Sequence, residues 1–243
     1  MNSSPCLRRT LLLRYAPAAL VLVALLVFMT PHATAQEQSV KPGINDNFKS
    51  DDLDVDQYVG TFEGEDRAIF AHRHDIVEAL ELKPGMDVAD IGAGTGFFSR
   101  MFAPHVGPKG KVFAVDIAEN FIKHIKKTAK EQGLKNVKAV LCDDHSVKLK
   151  KNSVDLVFIC DVYHHFEFPV DSLASIHKAL RPDGILVIVD FERVKGVTEE
   201  WVLGHVRCGK GTVTDEVKDA GFDFIEEVPM MEGQYVRKFK KRD

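Results

Sequence analysis

Cysteine is scarce in this chain, and the spacing that would let it hold a metal is missing. Of four cysteines, Cys6 lies near the start, and Cys142, Cys160 and Cys208 are scattered with no C-x-x-C among them. Three is a poor count for a disulfide framework, and without a ligand spacing no metal site is expected. Buried free thiols are the simplest reading. A positive charge excess is also lacking. Residues 1–35 carry three arginines and no acid, which leaves 29 basic against 36 acidic residues in the remainder. Such a balance argues against sequence-independent nucleic-acid binding, which works by neutralising phosphates. The one basic cluster, Arg237-Lys238-Phe239-Lys240-Lys241-Arg242, reads as the solubilising end of a last strand. There is no internal repeat and no low-complexity tract. No apolar run reaches the roughly 20 residues that a membrane span needs; the run Ala16–Met29 stops at fourteen.

That short run belongs to an N-terminal arrangement of its own. Arg8, Arg9 and Arg14 precede or border it, and Ala33-Thr34-Ala35 follows as an A-x-A cleavage site. This is the layout of a secretory signal peptide, residues 1–35, and predicts a periplasmic or secreted chain cut near Ala35. An uncleaved segment anchoring the chain to the inner membrane is the alternative, and the only way a membrane would be involved. Arg8-Arg9 is a weak match to a twin-arginine signal, a route that exports folded proteins. About 200 residues remain, enough for one core-forming domain.

Within that domain, Gln36 to Asp54 is polar and contains Pro42 and Gly43, which predicts a flexible leader. From Val55 to Leu80 apolar residues recur at helical spacing. Apolar strands then alternate with helical patterns: Lys111–Val115, Val137–Leu141, Val154–Ile159 and Ile185–Phe191 as strands, Ala118–Gly133 and Pro169–Leu180 as helices. Strands rich in Val, Ile and Leu between helices predict a parallel sheet covered on both faces. Thr212–Ala220 reads as a last helix, and Phe222–Val228 and Gln234–Phe239 as two final strands.

The most informative stretch is Val88–Gly96, V-A-D-I-G-A-G-T-G, an apolar strand running into a glycine-rich turn before a helical segment. A backbone in that order can approach a nucleotide closely, because a Cβ would block the tight turn. The spacing is G-x-G-x-G; the third glycine of a dinucleotide fingerprint would fall at Phe97. The pattern resembles motif I of the class I S-adenosylmethionine-dependent methyltransferases, and the likeness continues from about Leu82 to Val228. Asp116 ends the second strand, Cys142-Asp143-Asp144 follows the third, Cys160-Asp161-Val162-Tyr163-His164-His165-Phe166 the fourth, and Leu180-Arg181-Pro182-Asp183-Gly184 precedes the fifth. Within the family it is similar to the type 11 and quinone-biosynthesis-like groups, here as an exported variant.

The resemblance implies an α/β fold. It would be a Rossmann-like three-layer sandwich with a mostly parallel seven-stranded sheet, an antiparallel terminal strand, and an N-terminal helical cap over residues 55–243. It also implies S-adenosylmethionine as cofactor and a small-molecule methyl acceptor as partner. Gly92, Ala93, Gly94, Thr95 and Gly96 would lie under the methionine portion. Asp90 would receive its ammonium, directly or through water, with Asp161 as a second candidate. Asp116, with Ile117 beside it, would take the ribose hydroxyls. Asp143 or Asp144 would take the adenine amine; Cys142 replaces the usual glycine before this acid, so the register stays open.

On the acceptor side, His164 and His165 are candidate bases for proton removal, or structural residues of the pocket floor. Tyr163, Glu192, Arg193, His205 and Arg207 are candidate pocket residues, Arg207 as a clamp for an acidic substrate or as a solvated loop residue. His72 and His74 form an H-x-H whose members face different sides of a helix. Two other readings stand beside methyl transfer. An exported, non-catalytic domain binding an adenosyl ligand or metabolite gains weight because the cofactor is made in the cytosol. A nicotinamide-dependent dehydrogenase is disfavoured by Phe97 and by Glu167, which stands where a Tyr-x-x-x-Lys pair would need lysine.

Overall fold

A computed structural model describes Met1 and residues 36–242. The expected signal peptide therefore lies outside the described residues apart from Met1. Among the described residues no helix is long and apolar enough to cross a membrane.

Seven strands form one sheet. They are β1 (Asp87–Ile91), β2 (Lys111–Asp116), β3 (Val137–Leu141), β4 (Val154–Cys160), β5 (Leu180–Phe191), β6 (Phe222–Glu227) and β7 (Gln234–Lys241). Their order is β3-β2-β1-β4-β5-β7-β6. The first five pair in parallel, and β7 runs antiparallel to both β5 and β6. The Rossmann-like α/β class with an antiparallel terminal strand is as the sequence predicts.

Alternation along each strand sorts the core into two layers. Val88, Leu156, Phe158, Val187 and Val189 join Phe98 and Phe102 on one face of the sheet. Ala89, Val157, Ile159, Leu186 and Ile188 join Leu173, Ile176 and Val217 on the other. Phe98, Phe102 and Phe158 pack with ring centroids 5.0 to 5.8 Å apart, edge-on or stacked, arrangements that add to their burial. Layers of this kind hold the strand ends in fixed positions.

The helices are α1 (Val55–Phe62), α2 (Ala68–Ala71), α3 (Arg73–Ala79), α4 (Phe97–Val106), α5 (Glu119–Glu131), α6 (Pro169–Ala179), α7 (Glu200–His205) and α8 (Lys210–Asp219). Pro169 starts α6 where its missing N–H costs nothing. The helical segment expected over 55–80 is broken into three pieces. Residues 36–54, expected as a flexible leader, are instead packed in a series of turns. Val40 N–H donates to Glu167 O at 2.9 Å, and Asn45 is buried with its amide on His165 O at 3.0 Å. Polar composition misled here because this segment is held by side-chain and carbonyl partners over a hundred residues away.

The chain leaves β1 toward β2 on one side, while β4 lies on the other. This reversal opens a crevice beyond the carboxyl ends of the strands, the usual ligand position in open α/β sheets. The motif residues Gly92, Asp116, Asp143, Asp161 and Asp190 all lie at those ends.

Candidate active site

A cavity of about 350 Å³ occupies the crevice. Its near end is built from Ile91 at the end of β1 with Gly92 and Gly94 beyond it, Asp116 at the end of β2 with Ile117 beyond it, Phe121 of α5, and Cys142, Asp143 and Asp144 after β3. Gly92 has φ +69°, and a Cβ there would lie 2.4 Å from both methyl carbons of Val162. Gly94 has φ +54°, and its N–H donates to Asp116 Oδ2 at 2.7 Å. Ala118 N–H donates to Asp116 Oδ1 at 2.8 Å. Each carboxylate oxygen thus keeps a lone pair for an incoming hydroxyl. Burial pushes the Asp116 carboxyl up to about 6 against the pull of these backbone donors. A buried acceptor in a cradle with no room for side chains fits a ribose and the chain attached to it.

Asp143 and Asp144 both line the cavity, and each already has a lysine. Asp143 pairs with Lys148 at 2.5 Å, which holds its carboxyl below the ordinary range. Asp144 pairs with Lys49 at 2.7 Å. Asp161 adopts φ +52°, a left-handed conformation unusual for aspartate. Arg67 donates to it at 2.5 Å and Gln234 at 2.5 Å. Burial raises its pKa, and the Arg67 charge opposes that rise.

The far end holds His164, His165, His205, Phe191 and Trp201, with Phe48 over it from the N-terminal segment. A single 3₁₀ turn, Tyr163–His165, presents the first two imidazoles, and α7 presents the third. His164 is buried; its Nδ1 lies 2.7 Å from Asp190 Oδ1, and its backbone N–H donates to Asp190 Oδ2 at 3.1 Å. His165 Nε2 lies 3.2 Å from His205 Nε2. Burial, reinforced by its histidine neighbours and Lys41, drives the His165 pKa down to about 2. His165 is therefore neutral in the folded protein.

Several expected site residues are elsewhere. Asp90 is buried behind the cavity, where Ser99 Oγ donates to it at 2.7 Å. Ala93, Thr95 and Gly96 do not line the cavity; Thr95 donates instead to Glu63 of the cap at 2.8 Å. Tyr163 is fully buried in the core and donates to Glu216 at 2.7 Å. Arg207 is neither a clamp nor solvated, since it forms a two-pronged pair with the same Glu216 and lies over the Tyr163 ring. Glu192 pairs with Lys210 at 2.5 Å, and Arg193 donates to the carbonyls of Leu203 and Val206. Of the five acceptor-side candidates beyond the His pair, only His205 reaches the cavity. The strand β5 ends at Phe191, and the two candidates after it, Glu192 and Arg193, are held by partners outside the cavity. His72 contacts Asp75, away from the cavity.

A family profile described as "Methyltransferase domain" matches residues 82–228, more than half of the chain. The chain belongs to this methyltransferase family. The fold agrees: a SAM dependent methyltransferase from Aquifex aeolicus superposes with a TM-score of 0.67 at 25% identity, covering 77% of this chain and 98% of that one. Among sequence relatives, the ubiquinone/menaquinone biosynthesis C-methyltransferase UbiE of Ectopseudomonas mendocina is 31% identical over 118 residues, 48% of this chain and 46% of that protein. The demethylmenaquinone methyltransferase of Geobacillus stearothermophilus is 29% identical over 49% of this chain and 50% of its own. This methyltransferase thus spans about half the length of the curated relatives it matches. The [4+2]-cyclase SpnF shares the fold, with a TM-score of 0.62 at 16% identity.

Proposed function

We propose that this methyltransferase acts on a small, largely apolar ring acceptor carrying an oxygen substituent, and that it does so after export. The observation that carries the first part is one continuous cavity. It runs from the buried Asp116 carboxylate to an end walled by Phe48, Phe191 and Trp201 and floored by His164, His165 and His205. The cofactor, which we read as S-adenosylmethionine, would supply a methyl group on a positively charged sulfur. Asp116 would accept from the ribose hydroxyls, Asp143 or Asp144 from the adenine amine, and Asp161, steadied by Arg67, would face the methionine ammonium. Asp90 acts through Ser99 on the first turn of α4 and not as a direct contact. The aromatic walls orient a flat acceptor, and alignment of donor with acceptor is the main contribution required for such a displacement. The histidine floor provides the activating group. The quinone-biosynthesis relatives favour a ring acceptor, and the A-x-A layout of residues 1–35 supports export.

Calorimetric titration with S-adenosylhomocysteine, repeated on Asp116→Ala, tests the cofactor half. Micromolar binding lost by at least 100-fold in the variant is expected. A folded protein that binds neither S-adenosylmethionine nor its product would refute methyl transfer. Labelled-methyl transfer to a panel of phenols and reduced quinones tests the acceptor class. An intact mass beginning at Gln36 in the periplasmic fraction tests export.

A further inference from the structure

The three imidazoles at the far end of the cavity are arranged as ligands. No metal spacing exists in the sequence, since His205 follows His165 by forty residues. The fold nonetheless brings one ring nitrogen from each of His164, His165 and His205 within 4.8 Å of one another. The His165 and His205 Nε2 atoms are 3.2 Å apart. Two nitrogens bound to a tetrahedral zinc ion at 2.0–2.1 Å lie about 3.3 Å from each other. One pair therefore already has the separation of two ligands on one ion, and a nitrogen of the third ring lies within 4.8 Å of both.

The surroundings suit the same reading. Asp190 is 2% exposed and accepts from His164 Nδ1, His164 N–H and Phe191 N–H. Its ion-pair partner among the described residues is His164, which is charged only when that ring is protonated. A buried charge needs a partner, and a cation held on the opposite nitrogen of His164 would supply one. A carboxylate behind a ligating histidine also fixes the ring and the tautomer that leaves Nε2 free. His165 adds a separate sign. Its Nδ1 is buried without a hydrogen-bond partner, while its Nε2 faces another imidazole nitrogen. A neutral ring has one donor and one acceptor nitrogen, so with the proton on Nδ1 a bound cation would take the Nε2 lone pair that here faces only another imidazole nitrogen.

We propose that His164, His165 and His205 form a three-imidazole site for a divalent transition-metal cation, with Asp190 as its supporting carboxylate and its remaining position open to the cavity. Imidazole sets of this kind suit zinc and its neighbours, not magnesium or calcium. That the open position holds an acceptor oxygen rests on the proposed function; the metal site itself does not. Lys41, which donates to the carbonyls of Gly204 and His205, closes the carboxyl end of α7 over the cluster.

The test is titration of the chelator-stripped full chain with Zn²⁺ alone, in competition with a chromophoric chelator. Co²⁺ is then added alone for its visible spectrum. One equivalent is expected with micromolar or tighter affinity, weakened at least 100-fold by His165→Ala plus His205→Ala and 10- to 100-fold by Asp190→Asn. The Co²⁺ spectrum should report a low-coordinate nitrogen site. Far-ultraviolet circular dichroism of each variant shows that it is folded, with His205→Gln replacing any that is not. Zinc bound equally well without His165 and His205, or no zinc bound by the intact chain, would overturn the proposal. Zinc bound through the histidines by a chain that ignores S-adenosylhomocysteine would instead overturn the methyltransferase reading and leave the metal site standing.

Discussion

At the residue scale, Gly92 shows how narrowly the cradle is defined. Two separate constraints meet there: a left-handed backbone and a side chain, Val162, with both methyl groups where a Cβ would go. A non-glycine residue in that conformation costs roughly 1–2 kcal/mol, and the overlap adds to it. Gly92→Ala should therefore destabilise by at least that amount in urea titration. Adding Val162→Ala should relieve most of the overlap, though the Val162 Cβ itself stays 2.9 Å away, and leave the backbone cost. Full recovery in the double variant would show that φ is unimportant at this position. No recovery would show that Val162 is not what the glycine avoids.

At the element scale, the strands were legible and their attachments were not. The strand β3 was readable to the residue and β1, β2 and β4 nearly so, because each alternates or saturates with apolar side chains. The near end of the cavity was readable for the same reason, since Asp116 ends β2 and Asp143 and Asp144 follow β3. The far end depends on elements without periodicity. The helix α7 is six residues long, and the wall residue Phe48 lies in turns whose polar composition hides their partners. Phe48 packs 5.4 Å from Tyr58 and 5.4 Å from His165 between ring centroids. Complete burial of such a ring is worth roughly 1.5–3 kcal/mol, so a half-buried Phe48 should contribute about 1 kcal/mol or more. Denaturant titration of Phe48→Ala separates the cases: a loss of about 1–2 kcal/mol is expected from a packed segment, and less than about 0.5 from a free leader.

At the scale of the whole molecule, two buried acids tie stability to pH. Burial, offset by the Ser99 hydroxyl and reinforced by the Asp116 charge, pushes the Asp90 carboxyl up to about 7. Asp116 is held at about 6, also by burial. Both lie above the ordinary aspartate value of 3.8 that the unfolded chain would show. Between that value and 6 or 7 the folded protein keeps protons that the unfolded chain has released. The contribution of these acids is thus fully present below about pH 4 and is lost as pH rises toward 7. Asp90→Asn removes a proton that only the folded state retains, so the difference in melting temperature between variant and wild type should grow in the variant's favour from pH 4.5 to 7.5. A constant difference would place Asp90 at an ordinary pKa. The cofactor should act on Asp116 in the opposite sense. Ribose hydroxyls donate to the charged carboxylate and stabilise it, so binding near pH 6 should release up to about half a proton, and binding at pH 8 should release almost none. Titration with S-adenosylhomocysteine in two buffers of different ionisation heat reads that proton directly. Equal apparent heats in both buffers at pH 6 would mean that Asp116 is already charged before the ligand arrives, and that the cradle is prepared for it in advance.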